Sequence, residues 1–200
     1  MRRLSWVLAL FPFLLISFCS NQTFAEDTKS SYIVLKGGVY FPQNDDVKDF
    51  TDDGIDLEVA IGKFTSKFFM VDLGGELGVG FFQTRFTEGA KVTTKFFPIT
   101  LNLLGKYPVG PVDIYGGGGM GAYISKTEVT VLEQSDSEVH TFYGFQTLIG
   151  GKYNLANDLF FGLEGKYLWT KTPEIILMGV PISDLHYDGF IVTLNIGTNF

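Results

Sequence analysis

Eight stretches of this chain alternate apolar with polar or small residues at a period of two, and none sustains a helical period over three turns. That period puts alternate side chains on opposite faces of an extended strand. The stretches are Tyr32 to Pro42, Asp56 to Phe64, Met70 to Phe82, Thr94 to Tyr107, Val112 to Ile124, Thr141 to Asn154, Leu159 to Thr170 and Gly189 to Phe200. What separates them constrains the fold most. Residues 65–69, 108–111 and 155–158 form short connections, whereas 43–55, 83–93, 125–140 and 171–188 are long and mostly polar. Strict alternation of short and long links predicts an all-β, eight-stranded antiparallel up-and-down barrel with both termini at the short-turn end.

Alternation alone does not say which face is wet, because a soluble barrel alternates too, with its apolar face inward. The positions of the aromatic residues decide it. Phe41, Phe81, Phe97, Tyr143, Trp169 and Phe190 fall at one end of the apolar stripes, and Phe69, Tyr107, Tyr153, Phe161 and Phe200 at the other. Between these two groups stand Leu, Ile, Val and Gly. Two aromatic girdles flanking an apolar band match the two water interfaces of a membrane, which a soluble barrel never meets. The apolar faces are therefore expected to meet lipid, with short turns in the periplasm and four long loops outside the cell.

The N-terminus agrees with export. Arg2 and Arg3 precede an apolar run from Leu4 to Phe18, which polar Ser20, Asn21 and Gln22 follow. This run is shorter than the ~20 residues of a membrane-spanning helix and contains Pro12, so residues 1–25 read as a cleavable signal peptide and 26–200 as the barrel domain. Small Thr23 and Ala25 suggest cleavage before Glu26. Bulky Phe18 argues against lipidation at Cys19, the only cysteine, and its removal leaves no thiol for a disulfide, a metal site or a nucleophile. Glycine at 24 positions with 20 phenylalanines and nine tyrosines favours strands and tight turns in one domain of about 175 residues. Losing Arg2 and Arg3 from 15 basic residues against 22 acidic ones leaves a formal charge of about −9, which argues against nucleic acid as a partner.

The last strand carries a resemblance. Ile191-Val-Thr-Leu-Asn-Ile-Gly-Thr-Asn-Phe200 resembles the C-terminal targeting strand of outer-membrane proteins, and the whole mature chain is similar in architecture to small barrels of the OmpA, OmpX and opacity-protein type. The resemblance implies residence in the outer membrane of a Gram-negative bacterium. It also implies that Phe190, Val192, Leu194, Ile196 and Phe200 form an assembly signal for the outer-membrane insertion machinery. That group includes structural, adhesive, serum-resistance and lipid-modifying members, so it implies no single activity.

Candidate functional residues follow from the inward face. Lys36, Glu58, Glu76, Glu164 and Lys166 stand in mid-strand, where ionised side chains avoid hydrocarbon only by pointing inward and pairing, so a structural salt-bridge network is expected. With Phe96, Tyr115, Tyr123, Leu148 and Phe160 beside them, an eight-stranded interior leaves no wide channel. Inward glycines at 74, 78, 80, 117, 119 and 121, and the run Gly116 to Gly119, indicate strand curvature and room for bulky neighbours. No helix follows that run, so it is no phosphate loop.

Catalytic, cofactor and metal residues are assigned to none. His140 and His186 are the only histidines, both in or beside outer loops, and Ser183, Asp184 and His186 lie too close in sequence for a triad. A lipid A-modifying enzyme remains the alternative, as does a narrow barrel that binds or transports a small apolar compound. Asp45, Asp46, Asp49, Asp52 and Asp53 make the first outer loop acidic; a solvated loop is the default, with weak Ca²⁺ or Mg²⁺ bridging to lipopolysaccharide the sharper alternative. In the fourth, Ile175, Ile176, Leu177 and Met178 are apolar where solvent is expected, which marks a candidate contact surface. The function expected overall is structural or surface-interacting, in adhesion or envelope integrity, with outer-membrane lipids as surroundings.

Overall fold

The computed structural model describes residues 30–43, 52–88, 90–131, 134–155, 158–171, 175–177, 180–182 and 187–200. Residues 1–25, expected as a signal peptide, most of the acidic first loop, Met178, Ser183, Asp184 and His186 lie outside the described residues. Ten strands follow in order: β1 (Ser31–Pro42), β2 (Asp52–Phe68), β3 (Val71–Glu88), β4 (Ala90–Val109), β5 (Val112–Val131), β6 (Gln134–Asn154), β7 (Leu159–Lys171), β8 (Ile175–Leu177), β9 (Val180–Ile182) and β10 (Gly189–Asn199). Strands β1 to β7 and β10 close into one antiparallel barrel in which each pairs with its neighbours in sequence, and β1 pairs with β10.

Closure is complete along the seam. Register pairs run from Tyr32 opposite Asn199 to Pro42 opposite Gly189. The terminal residue is zipped in as well: Phe200 N donates to Ser31 O at 2.8 Å, and Ser31 N donates to Phe200 O at 3.3 Å. The strands are strongly staggered. A path across the ladders from Lys67 through Asp72, Lys106, Tyr115, Gly150, Glu164, Thr193 and Gly38 returns to β2 at Asp56, not at Lys67. Such stagger tilts the strands and sets which inward residues share a depth.

The apolar faces point outward. Leu194 is 72% exposed, Ile149 68% and Leu163 56%, while inward Lys36, Asn102 and Glu164 are at most 1% exposed. This inverts the arrangement of a soluble domain, in which ionised groups stay outside. Ten of the eleven girdle aromatics lie on the outward face, Phe69 is exposed in the turn between β2 and β3, and Phe41 pairs across the seam with Phe190.

Two strand pairs run further than patterning indicates, and one further hairpin stands apart from the barrel. The segments 83–93 and 125–140, expected as polar loops, are mostly ladder: β3 and β4 stay paired to Glu88 opposite Ala90, and β5 and β6 to Val131 opposite Gln134. The fourth segment contains the small hairpin β8–β9, with Ile175 opposite Ile182. The physical reason is that beyond the hydrocarbon both faces of a hairpin are wet. Polar residues then occupy both parities and the period-two signal vanishes, although Thr84, Thr87, Val92, Thr93, Thr127, Val129 and Thr130 still favour extended backbone.

The short turns each place one residue in the left-handed region: Phe69 (φ 55°), Gly110 (φ 63°) and Asp158 (φ 67°). Within the wall, glycine supplies space instead. A Cβ at Gly117 would collide with the carbonyl oxygen of Leu103, and one at Gly119 with the side chain of Asn102. At Gly110, by contrast, nothing lies within 4 Å of an added Cβ. Gly110→Ala should therefore cost only the conformational term, about 1 kcal/mol. Gly117→Ala should cost more, about 1 to 3 kcal/mol, because backbone must move. Urea titration of the folded band in detergent micelles checks the ranking, and equal losses would contradict it.

Candidate functional site

Three layers fill the barrel. At the outer mouth Tyr40, Phe82, Phe96, Tyr123, Phe142, Leu168, Tyr187 and Ile191 form a buried apolar cluster. Its rings pack closely: Phe82 stacks on Phe96 with centroids 4.2 Å apart, Tyr123 stacks on Phe142 at 5.4 Å, and Tyr187 meets Phe96 edge-on at 4.8 Å. Towards the periplasm a second cluster gathers Tyr32, Val34, Ala60, Leu104, Leu148 and Phe160. Between the two lies an ionic layer.

Lys36 is the centre of that layer. Its Nζ lies 2.9 Å from Glu76 Oε1, 3.1 Å from Glu164 Oε2 and 3.2 Å from Glu58 Oε1. Lys166 Nζ lies 2.7 Å from Glu58 Oε2 and 4.0 Å from Glu164 Oε1. The structure thus brings all five inward charges named from sequence into one contact network. Register explains part of it, since Lys36 stands directly opposite Glu58 on β2. Glu76 and Glu164 reach Lys36 from β3 and β7, across the lumen rather than along a ladder.

Neutral groups complete the network, of which sequence reasoning placed only Tyr115 beside the charges. Tyr32 OH donates to Glu76 Oε2 at 2.8 Å, Asn102 Nδ2 to Glu76 Oε1 at 3.1 Å, and Tyr115 OH to Glu164 Oε2 at 3.0 Å. Gln146 Nε2 donates to Asn102 Oδ1 at 2.6 Å, and Asn195 Nδ2 to Tyr115 OH at 3.2 Å. Each occupies an inward parity position, which was the available signal; the shared depth was not visible in the sequence. A buried carboxylate needs this many donors, since an ion lacking such partners is costly in low dielectric. Glycine makes room here too: an added Cβ at Gly78 would stand 2.7 Å from Thr100 Oγ1 and 3.0 Å from Glu58 Oε1.

Below this layer is a cavity of about 20 Å³ between Tyr32, Lys36, Phe64, Glu76, Lys106 and Lys152, room for one water. At the periplasmic mouth Lys106 pairs with Asp72 at 3.3 Å, Lys152 lies 3.6 Å from Asp113, and Lys152 Nζ donates to Asn199 Oδ1 at 3.1 Å. Among the described residues no group of three His, Cys, Asp or Glu could hold a metal ion. Phe190, Leu194, Ile196 and Phe200, expected as part of an assembly signal, are exposed on the outer wall, with Val192 partly so. Ile175, Ile176 and Leu177 form β8.

Outward apolar walls, a closed seam and an ionic interior find their counterpart among known proteins. Residues 11–200 match the family model for the outer membrane protein beta-barrel domain. The chain belongs to that family. This barrel is therefore an integral protein of the cell outer membrane. Solved structures of similar fold include OprG from Pseudomonas aeruginosa (16% identity, 87% of this chain and 99% of that one, TM-score 0.58). Neisserial surface protein A (9% identity, 86% and 98%, TM-score 0.53) and Ail of Yersinia pestis (16%, 86% and 100%, TM-score 0.52) are others. At these identities the likeness is one of fold. No curated protein matches the chain in sequence.

For this outer-membrane barrel, the ionic layer makes a stability prediction. Lys36→Met strands buried carboxylates and should cost about 3 to 5 kcal/mol. Adding Glu76→Gln and Glu164→Gln to Lys36→Met should recover much of the loss. Urea midpoints in micelles decide, and a Lys36→Met midpoint equal to wild type would contradict a stabilising lysine.

Proposed function

We propose that this barrel is a closed anchor with a structural or surface-interaction role, which presents extended hairpins above the outer membrane for adhesion or envelope integrity. The observation that carries this is the filled lumen. Among the described residues an aromatic layer, an ionic layer and a second apolar layer fill the lumen, so permeation is a poor use for it. What the barrel offers instead is its outer end, where β3–β4 and β5–β6 continue as ladder past the girdle.

The chemistry of that end narrows the partner. Segments 43–55, 83–93, 125–140 and 171–188 hold 13 of the 22 acidic residues and 5 of the 15 basic ones. Nearly all of the net negative charge thus stands outside. Such a surface repels polyanions beyond the Debye length and favours neutral, cationic or cation-bridged partners. One solved structure of Ail is a complex with the heparin analogue sucrose octasulfate. A ligand of that charge is disfavoured by the outer segments of this chain.

Biogenesis belongs to the same proposal. Residues 1–25 direct export and are removed, and the outward stripe Phe190, Val192, Leu194, Ile196 and Phe200 is offered to the insertion machinery.

Three measurements test this. Intact mass of protein from outer membranes should place the mature N-terminus at Glu26. Planar bilayers should show no steady conductance steps, and a stable open channel would overturn the closed anchor. Cutting residues 85–92 and 128–137 down to short turns should keep the heat-modifiable folded band but abolish surface binding or raise detergent sensitivity of expressing cells. Unchanged cells in both assays would overturn the surface role.

A further inference from the structure

Among the described residues, seven members of the buried cluster at the outer mouth stand on barrel strands, and the eighth, Tyr187, does not. It lies between β9 and β10, outside the barrel ladders, yet is only 9% exposed. Its ring meets Phe96 edge-on with centroids 4.8 Å apart and lies over Phe142 at 6.1 Å and 22°. Its hydroxyl is set against the Thr94 side chain, whose Oγ1 lies 3.3 Å from Thr127 Oγ1. On the backbone side Tyr187 N donates to Thr170 Oγ1 at 2.8 Å. Asp188 continues this clasp: its Oδ1 accepts from Thr170 N at 2.6 Å, and its carbonyl accepts from Gln43 N at 2.9 Å.

We propose that the outer mouth is a binding slot for a small hydroxylated aromatic ring, and that Tyr187 is the lid that fills this slot when it is closed. The chain's own phenol reports what the slot accepts. Phe96 and Phe142 receive a flat apolar body, and the paired hydroxyls of Thr94 and Thr127 receive one polar tip, which is the division a phenol presents. A compound of that class competes with Tyr187 for the same contacts. Thr94 and Thr170 stand one inward position beyond Phe96 and Leu168, towards the outer ends of β4 and β7, so the slot is the outermost part of the cluster. Tyr187 is also the one member that leaves without breaking a barrel ladder. Beneath it Phe82 stays stacked on Phe96 and Tyr123 on Phe142, so an occupied slot opens no path through the barrel. The site goes beyond the surface role proposed above and does not depend on it.

The probe is 4-methylphenol, a tyrosine side chain without its backbone, titrated calorimetrically into the folded mature barrel in neutral detergent micelles, with empty micelles as the blank. Tyr187→Ala should bind it saturably, and wild type more weakly, because binding to wild type includes the cost of opening the lid. Thr170→Val removes the acceptor of Tyr187 N and leaves the ring contacts, so it should tighten binding over wild type by about two- to tenfold, the worth of one hydrogen bond. Thr94→Val added to Tyr187→Ala should weaken 4-methylphenol by about fivefold or more and leave toluene unchanged, since a buried hydroxyl without a partner is costly. The folded band on a detergent gel reports whether each variant assembles; if Tyr187→Ala does not, wild type against Thr170→Val carries the test. Absence of saturable binding to Tyr187→Ala would overturn the slot. Binding to Tyr187→Ala but not to wild type, or equal affinity in wild type and Thr170→Val, would make Tyr187 a fixed plug and overturn the lid. An equal effect of Thr94→Val on both probes would overturn the choice of a hydroxylated ring.

Discussion

Everything in this molecule depends on backbone hydrogen bonding in a medium that offers no substitute for it. Within hydrocarbon an unpaired N–H or C=O costs several kcal/mol, so a sheet that crosses a membrane must have no edge. Here the last strand satisfies the first, and Phe200 exchanges both of its bonds with Ser31. Closure in turn divides every strand into a lipid face and a lumen face. From that division follow the outward Leu, Ile, Val and Phe, and the inward placement of Lys36, Glu58, Glu76, Glu164 and Lys166.

The lumen then has to be filled by whatever the inward parity supplies. Eight strands enclose little space, and large side chains fit only where glycine or another small residue faces them. Asn102 lies against Gly119, and Glu58 and Thr100 against Gly78. Lys36 is the element whose loss the interior tolerates least, because three carboxylates converge on it and no solvent replaces it. The outer aromatic layer covers the lumen above this centre.

Above the membrane the same ladders continue under different rules. Hairpins β3–β4 and β5–β6 need no apolar face, so their residues are free to carry charge and recognition. The border between the two regimes, one residue pair past Phe97, is where Lys95 and Lys126 meet. Similar solved barrels share the fold at 9% to 16% identity, as expected when the membrane constrains only parity and closure and leaves the ends to vary.

Strand number, antiparallel order, the lipid-facing side and the aromatic girdles were all legible in the chain. They depend on local alternation and on connection length, which one sequence displays directly. The inward charges were legible as a set for the same reason: parity sends Lys36, Glu58, Glu76, Glu164 and Lys166 to one face. Tertiary structure alone decided which of them touch. The stagger that carries a path from Lys67 round to Asp56 shifts each strand against the next, and no local pattern records that shift. Contacts across the lumen, such as Tyr115 with Glu164, join residues far apart in sequence and were settled only by closure. The outer hairpins were hidden for a different reason: once both faces are wet, extended backbone leaves no apolar period to read.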